Sequence, residues 1–183
     1  MSTAFKIKNQ NALYFLTLTI VNWIDLFTRD QNRRIVIDAL DYCRKYKGLK
    51  IWAYVIMTNH VHLMACTDEK SLSGILRDFK RHTVKHLLQS INTEKESRRS
   101  WLMKAFSISD EIINQRQISH QIWVHDNHPI ELESYKFIMQ KLGYIHENPV
   151  RAGFVDDPSA WVYSSQRNYM GLPGVLEIDL MDI

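Results

Sequence analysis

Apolar residues along the chain change between strand-like and helix-like spacing, and this pattern divides the sequence into a short series of elements. Residues 13–21 (LYFLTLTIV) mix aromatic and β-branched side chains, which is typical of a strand. Residues 29–47 place apolar side chains at a roughly helical period, and Gly48 follows their basic end as a helix C-cap does. The first part of the chain therefore predicts a strand followed by a helix.

The next part of the pattern predicts a β-hairpin and a second helix. Residues 49–57 and 60–66 are both apolar, strand-like runs. The dipeptide Thr58-Asn59 between them suits a tight turn, so we expect the two strands to pair with each other. Residues 71–90 then predict a helix that is rich in lysine and arginine.

The second half of the chain predicts an insertion, a third helix and an irregular tail. Residues 93–119 are polar and charged apart from a short apolar island, so we expect an insertion with at most a short helix. Residues 121–125 predict a short strand. Residues 130–147 predict a helix that Asn148-Pro149 ends, because proline disfavours helical backbone before it. From about residue 154 the chain is irregular. It carries aromatic side chains that we expect to pack back on the domain: Trp161, Tyr163 and Tyr169.

The order strand, helix, strand, strand, helix is a split βαβ pattern. We predict the α+β class, with an antiparallel sheet and helices packed on one of its faces. A chain of 183 residues suits one domain, so we assign residues 1–183 to a single unit.

Composition and charge place the chain among ordinary globular proteins. Its apolar fraction is 45% and its charged fraction 23%, and the net charge of +3 permits a polyanionic partner without requiring one. Cys43 and Cys66 fall in a predicted helix and a predicted strand, which favours a reducing compartment over a disulfide framework. The sequence shows neither a secretory leader nor an apolar run of about 18 residues, so we expect a cytoplasmic protein without a membrane partner.

Two histidines, His60 and His62, interrupt the apolar run of the third predicted strand. Residues two apart on a strand point to the same face, with backbones about 6.6 Å apart. Two neutral imidazoles suit a divalent metal but do not complete a site, so a third ligand has to come from elsewhere. The alternative is a structural role for both. For His82 and His86, one turn apart on the basic helix, a solvated helix face is the favoured interpretation.

The second unusual segment is residues 140–155, QKLGYIHENPVRAGFV. Tyr144 lies off the apolar stripe of the predicted helix and shares the adjacent face with Lys141 and Asn148. A hydroxyl, an amine and an amide at this spacing form a reactive set. The alternative is that Tyr144 is an amphipathic boundary residue of the kind common at helix edges.

Taken together, these motifs resemble a known family. The segment NHVHLM at residues 59–64, followed by YIHENPVRAG at residues 144–153, resembles the single-tyrosine HUH transposases, in particular the REP-associated tyrosine transposase branch. DNHPIEL at residues 126–132 and WVYSSQRNYMG at residues 161–171 strengthen the resemblance. The chain departs from that branch because no Gly-Thr-aromatic signature precedes its first strand.

The resemblance implies a ferredoxin-like fold that cleaves and rejoins single-stranded DNA through a 5′-phosphotyrosine intermediate. His60 and His62 match the family's metal-binding histidines, and Tyr144 matches its nucleophile. Asn148 stands where the family places a third, polar ligand of the divalent metal, Mg²⁺ or Mn²⁺. The implied partner is single-stranded or hairpin DNA. The wider family contains monomers and dimers that exchange the tyrosine helix, which leaves a homodimer open.

Basic residues on the second predicted helix are candidates for contacts with DNA phosphates. Three of them stack at four-residue spacing, and the candidates are Arg77, Lys80, Arg81 and Lys85, with Lys141 beside the tyrosine. A solvated helix face is the alternative for this stripe.

Two other functions stay open at this point. A DNA-binding protein of transposase descent that no longer cuts would form no covalent adduct with DNA. An unrelated zinc hydrolase using His60, His62 and another histidine would hold zinc tightly and would not depend on Tyr144.

Overall fold

The computed structural model describes residues 6–68, 70–93, 96–108 and 119–181. Short 3₁₀ turns at Val21–Trp23, Leu26–Thr28 and Pro158–Ala160 accompany the regular elements. In chain order the regular elements are β1 (Tyr14–Thr19), α1 (Asp30–Lys47), β2 (Leu49–Ile56), β3 (His60–Thr67), α2 (Leu72–Ile91), α3 (Arg99–Phe106), β4 (Ser107–Ile108), β5 (Ser119–His120), β6 (Ile130–Glu131), α4 (Tyr135–Arg151) and α5 (Gln166–Tyr169).

Four strands form one antiparallel sheet in the order β2-β3-β1-β6, and β4 pairs separately with β5. β1 pairs with β3 along its whole length, from Tyr14 opposite Ala65 to Thr19 opposite His60. The predicted turn at Thr58-Asn59 joins β2 to β3. The predicted α+β class with an antiparallel sheet is therefore confirmed.

One face of the sheet carries the larger apolar core. Helices α1 and α2 pack against each other and cover this face, and α1 ends as predicted where Gly48 takes a φ of +71°. Alternate residues of β1 and β3 point into this core because side chains on a strand alternate between faces. Its fully buried members include Leu16, Leu18, Val36, Val61, Leu63 and Leu87.

Helix α4 packs on the opposite face, so the helices lie on both faces of the sheet and not on one as the sequence pattern suggested. Leu142 and Ile145 of α4 pack with Phe15 of β1 and Met64 of β3 in a second, smaller core. β1 and β3 thus carry apolar side chains on this face as well, although polar residues stand beside them. The register of β2 also shifts near Trp52, which turns alternate apolar residues of β2 toward α4.

The segment before α4 differs from its predicted structure. Residues 121–125 form no strand of the main sheet, and Trp123 makes only an isolated bridge to Ile20. The fourth strand is Ile130–Glu131, within the segment predicted to begin the helix. α4 begins only after Ser134, whose hydroxyl accepts a hydrogen bond from the N–H of Phe137.

Helix α4 also ends later than predicted, because it continues through Pro149 to Arg151. The missing N–H of Pro149 removes only one hydrogen bond, close to the end of the helix. Gly153 has a φ of +73°, and the N–H of Phe154 donates to the carbonyl of Pro149 over 2.9 Å. These are the features of a Schellman C-cap, so Gly153 and not Pro149 ends the helix.

The predicted insertion contributes to the larger core. α3 is the short helix expected within it, and it buries Leu102 and Phe106 among the side chains of that core. Glu96 of the same segment is also buried, and its carboxylate forms an ion pair with Arg29 over 2.7 Å. Residues 94–95 and 109–118 of the predicted insertion lie outside the described residues.

The C-terminal tail packs back on the domain, as expected from its aromatic residues. Its backbone hydrogen-bonds to the free edge of β2, with the N–H of Ile56 donating to Tyr163 and that of Ser165 donating to Tyr54. Trp161 and Tyr169 donate from their side chains to carbonyls of the same strand. The tail therefore covers an edge that would otherwise expose unpaired backbone groups. Within the described ranges, no helix is long and apolar enough to cross a membrane.

Candidate active site

His60 and His62 begin β3 and lie on the sheet face that α4 covers. Their ring centroids are 4.6 Å apart, and their planes are inclined at 69°. His62 is buried, whereas His60 is half-buried at the end of the strand. The strand therefore holds both imidazoles close together, as the two-residue spacing predicted.

Neighbouring polar groups orient both rings through their Nδ1 atoms. His60 Nδ1 donates to Asn59 Oδ1 over 2.7 Å, and His62 Nδ1 shares a hydrogen bond of 3.0 Å with Thr17 Oγ1. Within the described part of the chain, neither Nε2 atom makes a hydrogen bond. This arrangement is typical of metal-binding histidines, in which a hydrogen bond at one ring nitrogen, here Nδ1, fixes the ring while the other, here Nε2, stays available to a metal.

Burial keeps both imidazoles neutral at physiological pH. It lowers the pKa of His60 to about 4 and that of His62 to about 3. The nearby His60 and the cationic Lys141 lower the pKa of His62 further. Neutral imidazole is the form that donates a lone pair to a metal.

Helix α4 brings Tyr144 to the histidines. The Tyr144 and His62 ring centroids are 5.2 Å apart, and Phe15 of β1 stacks on His62 at 5.1 Å. Phe15 also meets the Tyr144 ring edge-on at 5.9 Å. Tyr144 is half-buried, and its hydroxyl makes no hydrogen bond to any residue that the structure describes. Phe15 was not among the predicted site residues. Its neighbours on β1, Tyr14 and Leu16, point into the larger core, so the alternation of side chains along the strand places Phe15 on the α4 face.

Two basic side chains lie over the Tyr144 ring. Lys141 Nζ is 5.6 Å from the ring centroid, and Arg151 Cζ is also 5.6 Å from it. Lys141 also lies 4.6 Å from the centroid of Phe15. Lys141 was predicted and Arg151 was not, although its position two turns after Tyr144 places it on the same helix face.

Asn148 follows Tyr144 by one helical turn and is half-buried. Its side-chain amide makes no hydrogen bond within the described ranges, so it is available to a ligand. In the same ranges no three His, Cys, Asp or Glu side chains lie close enough together to hold a metal. Imidazole nitrogens and an amide oxygen both suit a divalent cation such as Mn²⁺ or Mg²⁺, so His60, His62 and Asn148 remain candidate ligands by the type of donor that each carries.

The second histidine pair lies away from this site. His82 and His86 are on α2, on the opposite side of the sheet, with ring centroids 4.2 Å apart. His86 Nδ1 shares a hydrogen bond with the His82 carbonyl, a local helix contact. The pair fits the solvated helix face that the sequence favoured.

The predicted DNA-binding residues of α2 fall into two groups. Arg77, Arg81 and Lys85 are exposed. Lys80 instead turns inward and donates to the carbonyls of Val124 and His125 over 2.6 and 3.3 Å. Burial lowers its pKa to about 8. Lys80 therefore holds the loop before β6 in place. The spacing of basic residues along the helix could not predict this contact, because the loop is distant in the sequence.

His146 is a further functional-looking residue that the sequence did not single out. It is buried, and its Nε2 lies 2.9 Å from Ser165 Oγ in the C-terminal tail. Ser165 Oγ in turn accepts from the Tyr54 N–H and donates to the Tyr54 carbonyl. This network ties α4 to β2 and the tail, so His146 positions the helix that carries Tyr144. Its only sequence signal is its place beside the buried Ile145.

Comparison with known proteins agrees with this architecture. No family model matches the sequence, and no curated protein matches it. A solved structure of a REP-associated tyrosine transposase bound to a REP hairpin is similar, with a TM-score of 0.62 and 18% sequence identity. The alignment covers 100% of this chain and 95% of that one. The resemblance to this branch, predicted from the motifs, is thus confirmed at the level of the fold.

Proposed function

We propose that the chain is a transposase-type endonuclease that cleaves and rejoins single-stranded DNA through Tyr144. A divalent metal held by His60, His62 and Asn148 completes the proposed site. The observation that carries the proposal is the cluster of three rings on one sheet face: His60 and His62 are 4.6 Å apart, and Tyr144 is 5.2 Å from His62. The shared fold with a transposase bound to a DNA hairpin supports DNA as the substrate.

The proposed reaction is a transesterification that conserves the phosphodiester energy. The Tyr144 hydroxyl gives up its proton to water as its oxygen attacks the phosphorus, the bond from phosphorus to the 3′ oxygen breaks, and that oxygen takes up a proton from water. The products are a 5′-phosphotyrosine and a free 3′-hydroxyl, and the reverse attack rejoins the strand without ATP. When bound, the cation supplies charge that polarises the phosphate and stabilises the leaving oxygen.

The protein's own side chains prepare Tyr144 for this attack. Lys141 and Arg151 place positive charge beside the ring, which stabilises the negative charge of a phenolate and attracts a phosphate. Phe15 packs against both His62 and Tyr144 and fixes their relative position. His146 anchors the helix behind them. The nucleophile is therefore held by packing on several sides.

The exposed basic residues of α2, Arg77, Arg81 and Lys85, are proposed to contact the rest of the DNA. A cleft of about 450 Å³ separates α2 from residues 120–127, and Arg77 and Arg81 line it. Because α2 and the histidines lie on opposite faces of the sheet, DNA reaching both has to pass round an edge or an end of the sheet. A hairpin joined to a single strand suits such a path, with the paired part on α2 and the unpaired part at Tyr144.

A covalent adduct is the direct test of this proposal. Labelled single-stranded hairpins incubated with the protein and Mn²⁺ should give a protein–DNA band on a denaturing gel, and peptide mapping should place the nucleotide on Tyr144. Tyr144→Phe removes one oxygen and should abolish the band while DNA is still bound. Tyr135→Phe is the matched control, because Tyr135 is exposed on the same helix.

Two results would contradict the proposal. An adduct that persists in Tyr144→Phe, or that maps to another tyrosine, would remove Tyr144 from the reaction. Tight DNA binding by the wild type without any adduct would identify a binding protein that no longer cuts.

A further inference from the structure

The segment between β1 and α1 displays a tryptophan beside the candidate site. Trp23 is 63% exposed, although tryptophan is usually largely buried. Its ring centroid lies 5.9 Å from that of His60, with the planes inclined at 68°. The indole and a proposed metal ligand therefore meet edge to face, while most of the indole is exposed to solvent.

The backbone that presents Trp23 is strained. Asn22 has a φ of +56° and Trp23 a φ of +54°, so two successive non-glycine residues occupy the left-handed region. Bulky residues rarely adopt this region, and such a conformation persists only where its surroundings impose it. Strain of this kind clusters at ligand-binding sites, so this turn is a candidate for contact with a ligand.

The surroundings that impose the conformation are also those of His60. Asn59 Nδ2 donates to the Trp23 carbonyl over 3.3 Å and to Asp25 Oδ1 over 3.1 Å. The other end of the same amide, Oδ1, accepts from His60 Nδ1. One side chain thus fixes the Trp23 turn relative to the imidazole.

Backbone hydrogen bonds hold the turn on both sides. The N–H of Val21 donates to Ile122 and that of Phe27 donates to Thr58, over 2.9 and 2.8 Å. Trp23 is therefore an exposed aromatic ring on a rigid support, and it would lose little conformational freedom on binding a ligand.

We propose that Trp23 is the platform on which an unpaired base next to the scissile phosphate stacks. This inference rests on the proposed function, because it takes His60 as the place where that phosphate lies. A strand whose phosphate reaches His60 has its bases within reach of an indole that touches the same imidazole. Stacking on an aromatic face needs no hydrogen bond to the base, so the contact orients the strand without selecting a sequence.

A nucleobase fits the geometry better than a second protein chain does. The exposed ring stands next to polar groups, Asn59 and Asp25, and beside a half-buried histidine. A protein interface of useful strength needs a broad apolar patch around such a ring, whereas a single base needs only the ring itself.

The test measures DNA affinity in metal-free buffer, where cleavage does not interfere. Wild type, Trp23→Ala and Trp23→Phe are titrated with a labelled hairpin carrying a single-stranded extension. Tyr46→Ala is the matched control, since Tyr46 is 68% exposed at the far end of α1. We expect Trp23→Ala to weaken binding about tenfold or more, Trp23→Phe to stay within about threefold, and Tyr46→Ala to bind normally.

A scan of abasic sites along the extension then locates the stacked base. One abasic position should weaken wild-type binding by the same factor as Trp23→Ala and should weaken the variant no further. Equal affinity of Trp23→Ala and wild type, or additive effects at every abasic position, would overturn the inference. So would a change of oligomeric state in Trp23→Ala with unchanged DNA affinity, which would identify a second copy of the chain as the partner.

The outcomes separate this inference from the proposed function. If Trp23→Ala forms the Tyr144 adduct normally and binds normally, only the inference fails. If wild type binds with the expected coupling between Trp23 and one base but forms no adduct, only cleavage fails. A wild type that binds no single-stranded DNA would overturn both.

Discussion

The two faces of the central sheet carry different kinds of residue, although the same strands supply both. The face under α1 and α2 is a continuous apolar core. The face under α4 has a smaller core around Leu142 and Ile145, and beside it stand the polar groups of the candidate site. Those groups are His60, His62, Lys141, Tyr144 and Asn148.

The difference separates stability from chemistry. Apolar burial stabilises the first face by about 25 cal/mol for each Å² removed from water. The second face gives up part of that gain, because buried imidazoles and a half-buried tyrosine cost free energy unless they are paired. Apolar burial in the larger core can offset this cost in the free energy of folding. The candidate site can therefore keep side-chain atoms without partners, which is what a ligand-binding site requires.

Removing a histidine from the α4 face should cause the largest change in activity. His60→Ala should lower cleavage on the order of a thousandfold, because removing a ligand takes away several kcal/mol of charge stabilisation. Mn²⁺ should raise the unfolding temperature of the wild type and leave that of His60→Ala unchanged, as thermal scans would show.

His86→Ala is the control for this prediction, since His86 lies on α2 away from the site. Normal cleavage in His60→Ala, or metal-dependent stabilisation that survives in it, would remove the histidine from the metal site.

Truncating a buried side chain in the core under α1 and α2 should lower the free energy of unfolding and leave DNA cleavage intact. Phe79 of α2 is buried in the larger core, and Phe79→Ala should cost about 3–5 kcal/mol of the free energy of unfolding. Phe137 of α4 is only partly buried, and Phe137→Ala should cost about 1 kcal/mol. Urea unfolding measures both, and the adduct formed per folded molecule should be normal in Phe79→Ala. Equal costs in the two variants would contradict the division between the faces.

The parts of the fold with strong local signals could be predicted from the sequence. Gly48 determines the end of the first helix, and the paired apolar runs around Thr58-Asn59 determine the hairpin. The spacing of His60 and His62 predicted two imidazoles on one face. In each case neighbouring residues determine the conformation.

The parts set by distant contacts could not be predicted in the same way. β6 has only two residues and exists because β1 offers an edge beside it. α4 passes Pro149 because Gly153 provides a better C-cap further along the chain. Lys80 turns inward because it donates to the carbonyls of Val124 and His125, and the sequence of its own helix does not indicate where these carbonyls lie.

Acid should weaken the α4 face more than the other face. Burial lowers the pKa of His60, His62 and His146 to about 4, 3 and 4, against about 6.5 in an unfolded chain. Between these values the unfolded state binds more protons than the folded state. The stabilisation is therefore complete above about pH 6.5 and disappears as the pH falls toward 4, by about 1.4 kcal/mol per pH unit for each group.

His146→Gln tests this pH dependence at a histidine that is not one of the proposed metal ligands. Glutamine can keep a hydrogen bond to Ser165, so the slope of unfolding free energy against pH should fall by the contribution of one group. Urea unfolding between about pH 4.5 and about 6.5, without metal, measures the slope, and His86→Gln on α2 is the control. An unchanged slope in His146→Gln would mean that its imidazole is not held neutral by the fold.

The smallest effect should separate two basic residues that are neighbours in the sequence and differ in surroundings. Arg81 is exposed at the cleft beside residues 120–127, whereas Lys80 donates to the carbonyls of Val124 and His125. Removing one phosphate-binding cation flattens the plot of log affinity against log salt by about 0.9 for duplex DNA, the part proposed to lie on α2. Arg81→Ala should show this change with nearly normal stability.

Lys80→Met should leave the salt slope unchanged and lower the free energy of unfolding by about 1–2 kcal/mol, because two carbonyls are left without their donor. Titrations at several salt concentrations, combined with urea unfolding, measure both quantities. A flatter salt slope in Lys80→Met at unchanged stability would show that Lys80 turns outward to the DNA beside Arg81 and does not hold the loop before β6.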